Sequence, residues 1–158
     1  MVDAYDNIGN RTSRSKDGVL TTWTYDNAYR LLGQQTTGGF ATFSYDNAGN
    51  SLVKWHQGAS PMTFAYDNAN RIVTMLQGTA ITTYAYDATG NQISENLSGS
   101  ITTYSYDNEN RLKGVLLPAG TRSTYTFDGE GLRRSAFEAG GALTTTIWDG
   151  TDYLMEKS

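Results

Sequence analysis

Alternating polar and apolar positions run along most of this chain and predict short β-strands. The segments Thr22–Tyr25, Thr83–Tyr86 and Thr103–Tyr106 alternate with a period of two and are rich in threonine and aromatic residues. This composition is typical of strands that shelter one face. Aromatic residues two positions apart, such as Trp23 and Tyr25, therefore point to the same face of the predicted sheet.

An aromatic residue followed by aspartate recurs eight times, at intervals of 20 or 21 residues. Self-similarity at a fixed period indicates a repeat architecture. The pairs are Tyr5-Asp6, Tyr25-Asp26, Tyr45-Asp46, Tyr66-Asp67, Tyr86-Asp87, Tyr106-Asp107, Phe127-Asp128 and Trp148-Asp149. We call their members the motif aromatic and the motif aspartate. We predict that the aromatics form a structural core and that the aspartates form turns by binding backbone N–H groups.

Each repeat contains two turn signals. A cluster such as Asp46–Asn50 follows every motif pair, and a glycine such as Gly18 or Gly58 stands seven or eight residues before the next pair. Short connections join antiparallel strands, so the sequence predicts an all-β, antiparallel hairpin repeat array of about sixteen strands. Open twisted sheets seldom exceed ~10 strands. We therefore expect a sheet that curls, spirals or closes into a barrel-like shell, as one repeat domain over residues 1–158 whose two ends lie inside a longer array.

A second pattern alternates between successive repeats. The residue five positions after the motif aromatic is asparagine at 10, 50 and 91 and arginine at 30, 71 and 111. The pattern makes a pair of repeats the structural unit and predicts that each arginine reaches a motif aspartate or lies on a ring. Motif rings of successive repeats lie ~9.6 Å apart, too far to stack. Apolar pairs such as Leu31-Leu32 and Leu52-Val53 are the predicted spacers between them.

The repeated Tyr-Asp-x-x-Gly-Asn/Arg pattern with its Thr-x-Tyr-x-Tyr-Asp return resembles the YD repeats of the RHS-repeat proteins. This family includes bacterial polymorphic toxins and wall-associated proteins, with relatives in insecticidal toxin complexes and animal teneurins. The stretch Thr146–Leu154 is similar to the part of a YD array that directly precedes the RHS-associated core region. The self-cleavage motif of that core region is absent here, so no cleavage residue is carried over.

The resemblance implies a sheet that spirals into a hollow shell, which encloses an effector in the toxins and serves surface recognition in the teneurins. For this chain it implies a structural scaffold or shell segment of a larger secreted or cell-surface bacterial protein. Such a segment would enclose or display an effector, and its partner would be the rest of the parent polypeptide.

Charge and hydropathy exclude some partners. The net charge of −4 and the lack of a Lys/Arg cluster argue against nucleic acid. No apolar run approaches the ~20 residues that a membrane span needs, and the segment carries no signal peptide. The absence of cysteine excludes disulfides and thiolate metal sites. We predict no cofactor and no metal, because a turn such as Asp46–Asn50 offers too few oxygens for calcium.

Two other functions remain open. A carbohydrate- or protein-binding module would use exposed aromatics, with Trp23, Trp55 and Trp148 as the candidates. A hydrolase would use the only histidine, His56, but no catalytic motif accompanies it, so we predict that the chain is not an enzyme. Unpaired edges of the first and last strands would favour a homodimer.

Overall fold

The computed structural model describes residues 1–158 and contains sixteen β-strands and no helix. The strands are β1 (Val2–Tyr5), β2 (Arg11–Lys16), β3 (Val19–Tyr25), β4 (Leu31–Thr36), β5 (Gly39–Tyr45), β6 (Ser51–His56), β7 (Met62–Tyr66), β8 (Ile72–Gln77), β9 (Ala80–Tyr86), β10 (Gln92–Leu97), β11 (Ser100–Tyr106), β12 (Leu112–Leu116), β13 (Arg122–Phe127), β14 (Arg133–Phe137), β15 (Leu143–Asp149) and β16 (Asp152–Lys157). The predicted all-β hairpin array with two strands per repeat is confirmed. The chain has no helical segment able to cross a lipid bilayer.

Strand order in the sheet follows chain order from β1 to β16. The outermost strands, β1 and β16, each have a single neighbour, so the sheet is open. Contacts divide the chain into two compact units, residues 1–81 and residues 82–158, and the boundary falls within β9. In each unit, consecutive strands pair antiparallel as a meander of hairpins. The single domain over residues 1–158 stays a prediction.

The glycine signals mark tight hairpin turns. Asp17 and Gly18 have φ values of 52° and 80°, and Ser98 and Gly99 have φ values of 49° and 99°. Two successive positive φ angles are the signature of the type I′ turn, whose twist matches that of the flanking strands. These turns hold β2 against β3 and β10 against β11 in antiparallel register.

A β-bulge accompanies every motif aromatic. Tyr25 pairs with Leu31 while Thr24 pairs with Gly33, which leaves Leu32 as the extra residue. The same shift recurs in the other repeats. Because an extra residue is displaced from the ladder, Leu32 and Leu52 remain 37% exposed. The prediction that both residues of each apolar pair act as spacers is therefore wrong. Leu31 pairs with the motif aromatic Tyr25, whereas in the pair Leu52-Val53 the first residue is the bulge and the second pairs with Ser44 on the opposite face.

The two faces of the strands differ in composition. The aromatic face, defined by the motif aromatics, also holds all five buried side chains, Ala41, Thr82, Ser123, Ala136 and Thr146. The opposite face, here called the hydroxyl face, carries a threonine three residues before every motif aromatic from the second repeat onward. These residues are Thr22, Thr42, Thr63, Thr83, Thr103, Thr124 and Thr145. The core therefore lies on the aromatic face.

Thr146 gives a first test of packing on the aromatic face. Its side chain is 3% exposed, and its Oγ1 has no hydrogen-bond partner. Because valine has the same shape without the unsatisfied hydroxyl, Thr146→Val is expected to raise the free energy of unfolding by about 1 kcal/mol. Urea denaturation measures the change. Thr144→Val, at a position where the hydroxyl donates to the carbonyl of Ala136, is the control and should give no gain.

Candidate functional site

The motif aspartates of the first seven repeats organise the turns that follow them. In the second repeat, Oδ1 of Asp26 accepts the backbone N–H groups of Ala28 at 2.8 Å and Arg30 at 2.9 Å. Oδ2 accepts Nε–H of Arg30 at 2.7 Å. The Asp26 N–H in turn donates to the carbonyl of Arg30 at 2.9 Å. The carboxylate thus closes a five-residue turn, and the other repeats from the first to the seventh use the same bond to the backbone N–H four residues on. Asp149 of the eighth repeat instead lies in β15, where it pairs with Asp152.

These hydrogen bonds stabilise the ionised carboxylates. The backbone N–H of Arg30 holds the pKa of Asp26 below its ordinary value. For Asp46 the largest contribution to the lowered pKa is the side-chain amide of Asn50. Asp87 has the strongest shift, to a pKa of about 2, led by the hydroxyl of Thr89. The carboxylates of Asp26, Asp46 and Asp87 are therefore charged at neutral pH and accept hydrogen bonds from donors of their own turns.

The arginine of the even-numbered repeats joins its turn to the next repeat. Arg30 binds its own motif aspartate, and its Nη1 also donates to the carbonyl of Asp46 at 2.9 Å. Its guanidinium carbon lies 4.7 Å from the ring centroid of Tyr45. Arg111 repeats this arrangement with the carbonyl of Asp128 at 3.2 Å and the Phe127 ring at 4.9 Å. The arginine therefore meets both a motif aspartate and a ring, as its position in the repeat predicted.

The asparagine of the odd-numbered repeats makes a corresponding link. The side-chain N–H groups of Asn50 donate to Oδ2 of Asp46 and to Oδ1 of Asn70 in the next repeat, both at 2.8 Å. Asn91 bonds in the same way to Asp87 at 3.0 Å and to Asn110 at 2.7 Å. Arg30, Asn50, Asn91 and Arg111 therefore connect their turns to the following ones by two different contacts.

The motif hydroxyls bind the preceding repeat. The hydroxyls of Tyr25, Tyr45, Tyr66 and Tyr106 donate to the carbonyls of Arg11, Leu31, Ser51 and Gln92, respectively, at 2.9 to 3.0 Å. In the last repeat, Nε1–H of Trp148 donates to the carbonyl of Arg133 at 2.9 Å. Sequence reasoning missed this bond, although the preference for tyrosine over phenylalanine in the first six repeats was its visible signal.

Tyr29 occupies a position where its side chain strains the backbone. Its φ is 63°, and the equivalent residues of the other even-numbered repeats are Asn70 and Asn110, at 59° and 62°. Asparagine tolerates this conformation better than tyrosine. Tyr29→Asn is therefore expected to raise the free energy of unfolding by about 1 kcal/mol. The new amide would also lie near Asn10, in the same way as the amide of Asn70 lies near Asn50. Thermal and urea unfolding measure the gain, and Tyr29→Ala, which keeps the Cβ, should show little or none.

The three tryptophans predicted as binding residues are dispersed. Trp23 lies on the aromatic face, where the guanidinium of Arg11 is 5.6 Å from its ring. Trp55 lies on the hydroxyl face of the same unit and is 39% exposed. Its Nε1–H donates to the carbonyl of Ala59, and its ring contacts Phe40 edge-on at 4.8 Å. Trp148 belongs to the 82–158 unit and lies on its aromatic face. The structure thus places Trp23 and Trp55 on opposite faces.

His56 is the exposed last residue of β6. Its ring meets Phe43 edge-on at 5.9 Å. It borders a shallow cavity of about 270 Å³ that is lined by glutamine, threonine, phenylalanine, alanine and glycine residues and by no serine or carboxylate. No group of three or more His, Asp or Glu side chains is arranged to hold a metal ion. A Ser-His-Asp arrangement is therefore not assembled around His56.

Comparison with known proteins agrees with the repeat geometry. The teneurin YD-shell family model matches residues 5–137. Among solved structures, the Tc holotoxin pore of Photorhabdus luminescens matches with a TM-score of 0.74 and 19% identity, over 92% of this chain and 9% of that one. The TcdB2-TccC3 structure without its hypervariable C-terminal region matches with a TM-score of 0.77 and 18% identity, over 96% of this chain and 10% of that one. No curated protein sequence matches.

The chain therefore spans about a tenth of the length of the solved chains that it matches. At this low sequence identity, the structural matches show a shared fold and no more. The family model, which covers most of the sequence, establishes the family. Seven of the eight aromatic-aspartate pairs lie within the matched range. This chain belongs to the teneurin YD-shell family.

Proposed function

We propose that this chain is a wall segment of a protein shell, within a larger secreted or cell-surface polypeptide of the RHS type that encloses or displays an effector. The observation that carries the proposal is the use of the motif side chains. The motif hydroxyls bind the preceding repeat, and Arg30, Asn50 and Arg111 bind the next one. Side chains that a catalytic site would need free are thus engaged in holding neighbouring repeats together.

A wall requires contacts that can be repeated along the chain. In a repeat protein, stability is close to a sum of repeat terms and nearest-neighbour terms, and the links described here are nearest-neighbour terms. The edges of β1 and β16 each present unpaired backbone groups that can accept a further strand. The matched toxin chains, about ten times longer, support the same role, and the family supports a secreted or surface location.

Electron cryomicroscopy of the complete parent polypeptide tests this proposal. The expected result is a hollow shell in which the strands of residues 1–158 form part of the wall. A matched set of variants sharpens the test: Arg30→Gln with Arg111→Gln should increase protease digestion of any enclosed segment, whereas Lys16→Gln with Lys157→Gln should not. A segment that projects from the body with solvent on all sides would contradict the wall role.

The same sheet edges offer a site for a second copy of the chain. Backbone N–H and C=O groups of an edge strand pair readily with another strand. We expect the isolated chain to sediment as a homodimer at high concentration and as a monomer on dilution. A monomer at every concentration would contradict edge pairing.

A binding module is the second candidate function, and the exposure of Trp55 favours it. Nε1–H of Trp55 is bound to Ala59, while Phe40 contacts the ring edge-on, so that the indole is held in place with part of its surface free. Carbohydrates and protein surfaces both bind such rings. Titration with neutral oligosaccharides should shift the fluorescence of the wild type and not of Trp55→Ala, with Trp23→Ala as the control. Identical responses in all three proteins would dismiss this candidate.

A further inference from the structure

A groove runs along β12 on the hydroxyl face of the 82–158 unit. Its volume is about 420 Å³. Gly114 forms its floor, because Gly114 pairs with Ser105 of β11 on one side and with Thr124 of β13 on the other. The walls carry four serine and threonine hydroxyls, from Thr103, Ser105, Thr124 and Thr126. The hydroxyl of Ser105 donates to the carbonyl of Gly114 at 3.4 Å, and that of Thr126 lies 2.6 Å from Oγ of Ser135. The groove therefore offers several neutral hydrogen-bonding groups along one strand.

The absence of a side chain at Gly114 opens this groove. A Cβ at this position would lie 2.7 Å from Oγ of Ser105 and 3.6 Å from the carbonyl oxygen of Ser123. Several other repeats fill the equivalent position with a side chain: Ser13, Val53, Thr74, Ser94 and Ser135. The opening is thus a local property of this repeat.

Two cations stand at opposite ends of the groove. Lys113 adjoins Gly114, and Arg122 pairs with Leu116 at the other end. Lys113 and Leu116 are three residues apart on β12, so the backbone positions that carry the two cations lie roughly 10 Å from each other along the groove. No aspartate or glutamate lines the groove.

These cations differ from most of the arginines in the chain. Six arginines form ion pairs: Arg11, Arg14, Arg30, Arg71, Arg111 and Arg133. Lys113 and Arg122 form none. In a chain of net charge −4, the groove is therefore a place where positive charge is left uncompensated.

An equivalent groove in the 1–81 unit provides an internal comparison. It runs along β4, has a volume of about 250 Å³, and is floored by Gly33 between threonines 22, 24 and 42. Leu32 and Phe40 occupy the positions that correspond to Lys113 and Arg122. A groove with the same arrangement of hydroxyl groups thus exists without the two cations, so the fold does not require them.

We propose that the β12 groove binds a saccharide chain that carries carboxylate groups. Hydroxyls of serine and threonine both donate and accept, as the hydroxyls of a sugar require. Lys113 and Arg122 would each bind a carboxylate, Arg122 through its planar fork of donors. Because the cations stand at the two ends instead of converging on one point, the groove fits an elongated ligand better than a single phosphate. This ligand site goes beyond the wall role and does not depend on it.

Calorimetric titration of the 158-residue chain tests the site with three probes. A hexamer of galacturonic acid carries carboxylates, maltohexaose is neutral and of the same length, and inorganic phosphate is a simple anion. We expect binding of the acidic hexamer only, weakening as salt is added because the cations lie near the surface. The Lys113→Leu/Arg122→Phe variant carries the side chains of the β4 groove, so both substitutions are compatible with this sheet geometry. It should reduce the affinity at least tenfold.

Two further variants separate the site from general charge effects. Lys16→Leu/Lys157→Leu removes the same charge from exposed positions outside the groove and should bind the acidic hexamer as the wild type does. Gly114→Thr, which copies Thr74, should abolish binding while its circular dichroism remains that of a β-protein. The proposal is overturned if the hexamer does not bind, if maltohexaose or phosphate binds equally well, or if both double variants lose the same affinity.

Discussion

The Tyr66→Ala variant is expected to lower the free energy of unfolding by about 3 kcal/mol, and Tyr66→Phe by about 1 kcal/mol. Alanine removes the ring that packs opposite Ile72 on the aromatic face, together with the hydroxyl. Phenylalanine keeps the ring and removes only the bond from the hydroxyl to the carbonyl of Ser51, which measures 2.9 Å. Urea denaturation of the three proteins gives both differences.

The seventh repeat provides the reciprocal control. Phe127 occupies the motif position there and has no hydroxyl, while the carbonyl of Leu112 holds the place that Ser51 has for Tyr66. Phe127→Tyr is therefore expected to raise the free energy of unfolding by about 0.5 to 1 kcal/mol. If Tyr66→Phe were as damaging as Tyr66→Ala, or if Phe127→Tyr lowered stability, the inter-repeat hydroxyl bond would not have the role assigned to it.

Acid is expected to remove much of the stability of the array. The pKa values of Asp26, Asp46, Asp67 and Asp107 are lowered by hydrogen bonds within their turns, and that of Asp87 falls to about 2. A carboxyl group whose pKa is lower in the folded state stabilises the fold above its unfolded value and loses this contribution as pH falls through the folded value. Stability should therefore be constant above about pH 5 and decline down to about pH 2.

Urea denaturation between pH 2 and pH 7 measures this decline, and two substitutions assign it to the turns. Asp46→Asn and Asp26→Asn should both flatten the pH dependence, because the new side chain does not titrate. Asp26→Asn should lower stability more at pH 7, because the new amide N–H would face another donor, the Nε–H of Arg30. In Asp46→Asn, by contrast, the side-chain oxygen of Asn50 can accept a hydrogen bond from the new amide N–H. Unchanged stability down to pH 2 would show that the carboxylates are dispensable.

The fold was accessible from the sequence because its signals are local. A period of two predicts strands, the recurring aromatic-aspartate pair gives the length of the repeat, and glycines such as Gly18 mark turns whose φ angles are positive. The alternation of arginine and asparagine also predicted that each arginine contacts a ring or a motif aspartate, as Arg30 does, because it stands at a fixed distance from each pair.

Other features depend on register, which local patterns do not determine. The bulge leaves Leu32 out of the ladder, yet Leu32 is as apolar as Leu31, so composition does not distinguish them. Trp55 falls on the face opposite Trp23 because the bulge and the turns reset which residues share a face. Lys113 and Arg122 are nine positions apart, and only the pairing of β12 with β13 brings them to one groove.

A double-mutant cycle between adjacent repeats tests most directly whether the motif side chains join neighbouring repeats. Arg30→Gln and Tyr45→Leu, made singly and together, should show a coupling energy of about 0.5 to 1 kcal/mol, because the guanidinium lies 4.7 Å from the ring. Tyr45→Phe, which keeps the ring, should retain the stabilising effect of Arg30. Arg30→Gln with Tyr66→Leu, one repeat further on, should be additive. Additive effects of Arg30 and Tyr45 would contradict the claim that the motif side chains join neighbouring repeats.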